Sequence, residues 1–345
     1  MLRLIDANVD RIGEGLRVLE EVARFLLNDA DLCHRLKSLR HHLSQAVPVS
    51  DIDLVSSRDV AADAGAFIRL PDANHGDLAA LVAANSRRVQ ESIRVLEEFA
   101  RLPDTPLKAA PADWEQWRYE AYELEKQLVS RLLRQEKQRR LKGLYVILDT
   151  GALRGRDAVE VAIQAIRGGA SVIQLRDKIY PRSRLIEMAR RLKSVCAENR
   201  VLFIVNDYLD AALAAGADGL HLGQEDLPVT EARRLLPLDR LVGCSTHSVE
   251  QALLAESDGA DYIAVGSIYP TLSKDKFEVI GLEALRQVKA RLSVPVVAIG
   301  GISCQNIVEV IRSGADGVAV ISAVLQAEDV EDAARALVTG MRPVC

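Results

Sequence analysis

Gly314-Ala315-Asp316-Gly317-Val318-Ala319-Val320-Ile321-Ser322 is the stretch whose reading decides the fold. Its glycines suit the end of a helix and a turn into a strand. Val318–Ile321 is an unbroken apolar run, the pattern of a parallel strand buried on both faces. The same phrase introduces earlier runs, as Gly168-Gly169-Ala170, Ala215-Gly216-Ala217-Asp218-Gly219 and Gly259-Ala260-Asp261. Working outward, eight such runs appear: 144–149, 172–178, 202–207, 219–223, 241–247, 262–268, 295–301 and 317–322. Amphipathic stretches, among them 183–198 and 281–291, separate them. Eight strand–helix units in about 200 residues predict an α/β (β/α)8 TIM barrel. An open doubly wound sheet is the structural competitor, and the unbroken count favours closure.

Upstream the pattern changes. Residues 1–125 read as a mainly α-helical domain with an internal repeat, residues 126–141 as a basic helical linker, and residues 142–345 as the barrel. Ala7-Asn8-Val9-Asp10-Arg11 opens a segment that ends Leu16-Arg17-Val18-Leu19-Glu20-Glu21-Val22-Ala23-Arg24. Seventy-seven positions on, Ala84-Asn85-Ser86-Arg87-Arg88 opens one ending Ile93-Arg94-Val95-Leu96-Glu97-Glu98-Phe99-Ala100-Arg101. Asn8 and Asn85 are expected as N-caps of two equivalent helices. Glu14, Arg17, Glu21 and Arg24 step along one face as a charged stripe, repeated by Glu91, Arg94, Glu98 and Arg101. Ile12, Leu16, Leu19, Ala23 and Leu26 supply the apolar face. A second helix follows each copy, around 35–46 and 114–133. If the stripes pack together, Arg17 and Glu98 should be energetically coupled.

The 345 residues include 49% apolar and 27% charged side chains and carry a formal charge of −5, an ordinary globular balance. An acidic chain is no general nucleic-acid binder, so any anion site must be built from a few placed Lys and Arg side chains. No apolar run is long enough to span a membrane. Residues 1–15 lack a signal-peptide core, and the five cysteines lack paired spacing. Together these predict a cytoplasmic protein with reduced thiols.

In such a barrel the functional residues gather where strands end. The second run ends Gln174-Leu175-Arg176-Asp177-Lys178, placing three donors at alternate positions suited to a multiply charged phosphate. The third ends Asn206-Asp207, and Gln224-Glu225-Asp226 follows the fourth. Asp207 and Asp226, from neighbouring strand ends, make a candidate Mg2+ site. Ile299-Gly300-Gly301-Ile302 and Ile321-Ser322 can form the phosphate cup common after strands seven and eight. The loop after the sixth run carries Thr271-Leu272-Ser273-Lys274, which offers hydroxyls and an ammonium to a second anion. Two anion sites thus face each other across one barrel mouth. His247 reads more readily as a hydrogen-bonded structural histidine than as an acid–base group, His221 is similarly ambiguous, and Cys244 reads as a packing residue.

Over 142–345 these motifs occur in the order of the thiamine-phosphate synthase family, which the chain resembles. Gln174–Lys178, Val205-Asn206-Asp207, His221–Asp226, Gly243–His247, Tyr269–Lys274, Ile299–Ile302 and Ile321-Ser322-Ala323 all carry the likeness. The resemblance implies a transferase joining a hydroxymethylpyrimidine diphosphate to a thiazole phosphate by dissociative displacement. It implies that Gln174, Arg176, Lys178, Asn206, Ser245 and Lys274 hold the pyrimidine diphosphate, with Arg176, Ser245 and Lys274 catalytic. Thr271, Leu272, Ser273, Gly301, Ile321 and Ser322 would hold the thiazole phosphate, and Asp207 and Asp226 the Mg2+. Ser267 stands where the family often has Pro, and Ser273 where it often has Thr. The alternatives are a thiazole tautomerase of the same superfamily and a non-catalytic phosphate-binding barrel. Two phosphorylated small molecules are the implied partners, with no nucleic acid or membrane, and a homo-oligomer is compatible. The first domain resembles a module fused to some of these synthases, including cyanobacterial ones, for which a pyrimidine-phosphate kinase role has been proposed. No Gly-x-x-x-x-Gly-Lys-Ser/Thr loop supports that role. Arg58-Asp59, with Gly65 after it, matches the module's pattern, and an interface role for the stripes is the other reading.

Overall fold

The computed structural model describes residues 1–59, 76–107, 110–271 and 279–341. The chain divides into two compact units, Met1–Leu133 and Arg134–Cys345.

The first unit is helical: α1 (Leu2–Glu21), α2 (Ala30–Gln45), α3 (Asp51–Ser56), α4 (Leu78–Phe99) and α5 (Pro111–Arg139), whose last residues belong to the second unit. A π-helical turn, Val22–Leu26, extends α1. Ile5, Ile12, Leu16 and Leu19 of α1 meet Val82, Val89, Ile93 and Leu96 of α4 in one buried cluster. Gly15 lets the two helices close up, because a Cβ there would stand 2.6 Å from Val89 Cγ2. Leu26, expected on the apolar face, is instead half exposed where the π turn rotates it outward.

Asn8 and Asn85 are not caps. Both lie inside their helices, buried, with the side-chain amide donating to the carbonyl four residues back: Asn8 to Leu4 (2.8 Å) and Asn85 to Leu81 (2.9 Å). α4 is capped earlier by Asp77, which accepts from the Ala80 amide at 2.7 Å. The helices reach back to their earlier apolar residues, and the asparagines satisfy themselves against the backbone instead.

The second unit is a closed barrel of parallel strands in sequential order: β1 (Gly143–Asp149), β2 (Ala170–Arg176), β3 (Leu202–Asn206), β4 (Gly219–Leu222), β5 (Leu241–Thr246), β6 (Tyr262–Val265), β7 (Val296–Ile299) and β8 (Gly317–Val320). All but β1 end one to three residues sooner than the apolar runs imply. Lys178, Asp207, His247 and Gly301 therefore stand beyond the ladder in the loops of the mouth, and Ser322 opens a short helix, Ser322–Leu325.

The repeated Gly-Ala-Asp phrase does more than turn the chain. Gly216, Gly259 and Gly314 adopt positive φ (+62°, +98°, +98°), as helix-to-strand turns require. The aspartate of each phrase reaches sideways to the preceding strand's first amides. Asp218 accepts from Phe203 N (3.0 Å), Asp261 from Val242 N (2.8 Å) and Asp316 from Val296 N (2.9 Å). Each is also ion-paired to a basic residue on the helix that leads into that preceding strand: Lys193, Arg233 and Lys289 respectively. The phrase thus clips neighbouring strands together at the end of the barrel opposite the mouth.

Candidate active site

Strand alternation sends every second side chain into the barrel. Tyr145, Ile147, Val172, Leu202, Ile204, Leu241, Tyr262, Val297 and Ala319 fill that interior as a cluster distinct from the outer one. Continuing toward the mouth, the same alternation brings Gln174, Asn206, His221 and Ser245 inward. Gln174 is 2% exposed and donates to the Tyr145 hydroxyl at 2.9 Å. Ser245 Oγ lies 2.8 Å from His221 Nε2, and Asn206 is buried as the last residue of β3.

Gln174, Arg176 and Lys178 do not form one free donor set. Arg176 is ion-paired to Asp149 at the end of β1, and Lys178 Nζ lies 2.6 Å from Asp207 Oδ2. Asp207 raises the Lys178 ammonium above its ordinary range, mainly through that hydrogen bond. Asp207 itself holds φ +62°, uncommon for a residue with a Cβ, with its amide bonded to the His221 carbonyl at 2.8 Å. Asp226 accepts from the Gly223 amide at 2.7 Å and stands within hydrogen-bond reach of Asp207. Burial, and after it the neighbouring Asp207 carboxylate, push the Asp226 carboxyl above the usual range. Among the described residues no cluster of three or more His, Cys, Asp or Glu could hold a metal, so these residues offer a pair of carboxylates and no closed cage.

Opposite this pair, Gly300 and Gly301 turn at φ +102° and +64°. They press against the loop after β6: a Cβ on Gly300 would meet Ser267 Oγ at 2.0 Å, and one on Gly301 the Pro270 carbonyl at 2.5 Å. Thr271, Gly301, Ile321 and Ser322 line the resulting cavity together. Leu272, Ser273 and Lys274 lie outside the described residues. His247 sits at the cavity wall, Nδ1 to the Gly266 carbonyl at 2.5 Å and amide to Gln251 at 2.8 Å. Burial pushes the Cys244 thiol up to about 11, which leaves little thiolate at neutral pH.

Sequence patterning missed Tyr145 and Tyr262, whose hydroxyls meet at 2.9 Å inside the barrel. Within a strand each reads as one more apolar side chain. The only signal was Gly243 in β5, a gap filled by the Tyr262 ring, which a Cβ there would strike at 2.1 Å.

A mouth with paired carboxylates on one wall and a glycine-lined cup on the other belongs to TIM-barrel enzymes of small phosphorylated molecules. A family model described as thiamine monophosphate synthase matches residues 144–324, and one described as the ThiD2 family matches residues 3–127. The thiamine-phosphate synthase of Synechococcus sp. (strain CC9311) is 41% identical over 97% of this chain and 94% of its own length. That of Rhodopirellula baltica is 38% identical over 94% of this chain and 88% of its own. The solved thiamine phosphate pyrophosphorylase of Pyrococcus furiosus is 43% identical, with TM-score 0.55, covering 59% of this chain and 97% of that one. The chain belongs to the thiamine monophosphate synthase family. It is thus a transferase of thiamine biosynthesis, and the tautomerase and regulator alternatives fall away. No helix among the described residues is long and apolar enough to cross a membrane.

Proposed function

We propose that the barrel mouth condenses 4-amino-2-methyl-5-hydroxymethylpyrimidine diphosphate with 4-methyl-5-(2-phosphoethyl)thiazole, or its carboxylated form. The products are thiamine phosphate and diphosphate. The observation that carries this reading is the convergence of Asp207 and Asp226 beside Lys178, across the mouth from the cup at Gly301 and Ser322.

Two neighbouring carboxylates favour a cation between them, and burial together with the Asp207 charge already raises the Asp226 carboxyl. Mg2+ suits this donor set, because it takes one or two carboxylates and completes its shell with water and substrate phosphate oxygens. Bound there, Mg2+ would neutralise charge on the departing diphosphate. Lys178 and Arg176 add positive charge from the end of β2, and Lys274 would add more. Asp149 and Asp207 hold the first two cations in place before substrate arrives. Ser245, Asn206 and Gln174 hold the pyrimidine diphosphate, Ser245 at its diphosphate. The bond from its methylene carbon to the diphosphate oxygen breaks, the electron pair leaving with diphosphate, and the aminopyrimidine ring delocalises the positive charge. The thiazole nitrogen, fixed by its phosphate in the cup, then donates its lone pair to that carbon. No protein nucleophile is consumed, in keeping with the poor thiolate character of Cys244.

Steady-state kinetics with a Mg2+ titration test this. Asp226→Asn keeps the shape and removes one charge, so kcat should fall about 10²-fold, the scale of one preorganised electrostatic contact. The KM for thiazole phosphate should hardly move. Turnover that survives full chelation, or an Asp226→Asn enzyme with unchanged kcat and Mg2+ dependence, would contradict the reading.

A further inference from the structure

A single hydrogen-bonded chain crosses the barrel interior beneath the mouth. Gln174 Nε2 donates to Tyr145 Oη at 2.9 Å, Tyr145 Oη and Tyr262 Oη are 2.9 Å apart, Tyr262 Oη and His221 Nδ1 are 3.0 Å apart, and His221 Nε2 and Ser245 Oγ are 2.8 Å apart. Its members come from β2, β1, β6, β4 and β5, so it ties strands that are not neighbours. Around it the interior is apolar, formed by Ile147, Ile204, Val297 and their neighbours. A polar chain in such surroundings is costly unless every donor and acceptor is used.

The proton count fixes its direction. A phenol has one proton to give. The Tyr145 oxygen accepts from Gln174, so its own proton goes to Tyr262; withheld, it would be a buried donor with no acceptor along the chain. Tyr262 in turn gives its proton to His221 Nδ1. A neutral imidazole that accepts at Nδ1 carries its proton on Nε2. That proton is donated to Ser245 Oγ, which is left to turn its own hydroxyl proton away from the chain. Ser245 stands at the cavity wall, where an anion would meet it.

We infer that Tyr145 and Tyr262 are positioning residues that set the donor polarity of Ser245 through His221, so that Ser245 presents a hydroxyl proton to the diphosphate. This rests on the placement of the pyrimidine diphosphate at Ser245 under the proposed function. Neither tyrosine touches substrate. Both hydroxyls are held protonated because burial raises their ionisation well above the ordinary phenol range, which keeps the two phenols neutral at physiological pH. Gly243 is part of the device, since only a residue without a Cβ leaves room for the Tyr262 ring.

Two measurements on the full chain test it. Nitrogen-15 NMR of the histidine-labelled wild-type enzyme should show His221 protonated at Nε2 and unprotonated at Nδ1; the opposite tautomer overturns the inference without any variant having to fold. A double-mutant cycle then reads the coupling. Tyr262→Phe should lower kcat/KM for the pyrimidine diphosphate about tenfold, the worth of one hydrogen bond. Tyr145→Phe should act in the same direction. In a Ser245→Ala background, Tyr262→Phe should cost less than about twofold, because the chain then has no end to act through. An equal loss in both backgrounds would mark Tyr262 as a packing residue only and overturn the inference. A Ser245→Ala enzyme with unimpaired use of the pyrimidine diphosphate would overturn the site assignment at Ser245, and the relay with it. An impaired Ser245→Ala beside an unimpaired Tyr262→Phe overturns the relay alone.

Discussion

Glu97 is wholly buried, yet it is surrounded by guanidinium groups: Arg94 at 2.6 Å, Arg101 at 3.0 Å and Arg118 at 2.9 Å. Its counterpart in the repeat, Glu20, is 1% exposed and meets Arg17, Lys37 and Arg40 at 3.4, 3.7 and 3.1 Å. These two carboxylates, not the expected Glu21 and Glu98, join the helices of each copy: Glu20 links α1 to α2, and Glu97 links α4 to α5. Arg17 pairs with Glu20 and Glu21, and Glu98 with Arg94 and Arg101, each within its own copy. The signal was present, since Glu20 stands four residues after Leu16 and three before Ala23, on the buried face. Burial alone would raise the Glu97 carboxyl, but hydrogen bonds from Arg118 and Arg101 outweigh it and hold the group below its ordinary range. The folded group is therefore the stronger acid. Its stabilising effect is complete above the ordinary glutamate pKa of about 4.3 and is lost as pH falls through the lower folded value. Glu97→Ala should destabilise the helical unit by about 2–3 kcal/mol, below the 3–5 of a fully buried pair because Arg94 and Arg101 are half exposed. Urea melts followed by tryptophan emission read this unit alone, since both tryptophans of the chain, Trp114 and Trp117, lie in it. A melt indifferent to the substitution would mean the arginines are solvated and Glu97 contributes little.

At the scale of elements, the eight strands were legible because a parallel barrel strand is apolar on both faces and four of them, β2, β4, β6 and β8, are introduced by a repeated turn. Their ends were less legible, since the run 317–322 carries apolar Ile321 after its ladder has ended at Val320. The mouth residues were legible for a related reason: polar side chains just past an apolar run have to lie at a strand end. The interior chain from Gln174 to Ser245 was not, because its tyrosines and histidine lie far apart in sequence and only closure of the sheet joins them. The aspartates of the Gly-Ala-Asp phrase were equally hidden, their partners being amides on another strand. Asp261 is held by Arg233 and by Arg134 at 2.8 Å while accepting from the Val242 amide. Asp261→Ala should loosen the start of β5, at a cost of about 2–4 kcal/mol for a buried, ion-paired acceptor. Native-state hydrogen exchange at the Val242 amide should speed up accordingly, whereas exchange at Val296, clipped by Asp316, should change far less. Equal acceleration at both amides would show that the clips act through global stability and not strand by strand.

At the scale of the whole molecule, each unit encloses its own apolar cluster, which is the condition for folding independently. The barrel unit includes the end of α5, where Arg134 reaches Asp261 and Lys137 reaches Asp239 at 2.8 Å. A fragment 134–345 keeps those ion pairs, and one beginning at residue 142 loses them, so the shorter fragment should melt earlier. All the described residues proposed to hold substrate and metal lie within 134–345. The most direct test is to supply fragment 134–345 with Mg2+ and both phosphorylated substrates and to measure thiamine phosphate and diphosphate together. Equimolar products are expected, with kcat within about threefold of the full chain, a difference below about 1 kcal/mol in the barrier. A soluble, folded fragment that makes neither product would contradict the assignment of the reaction to the barrel.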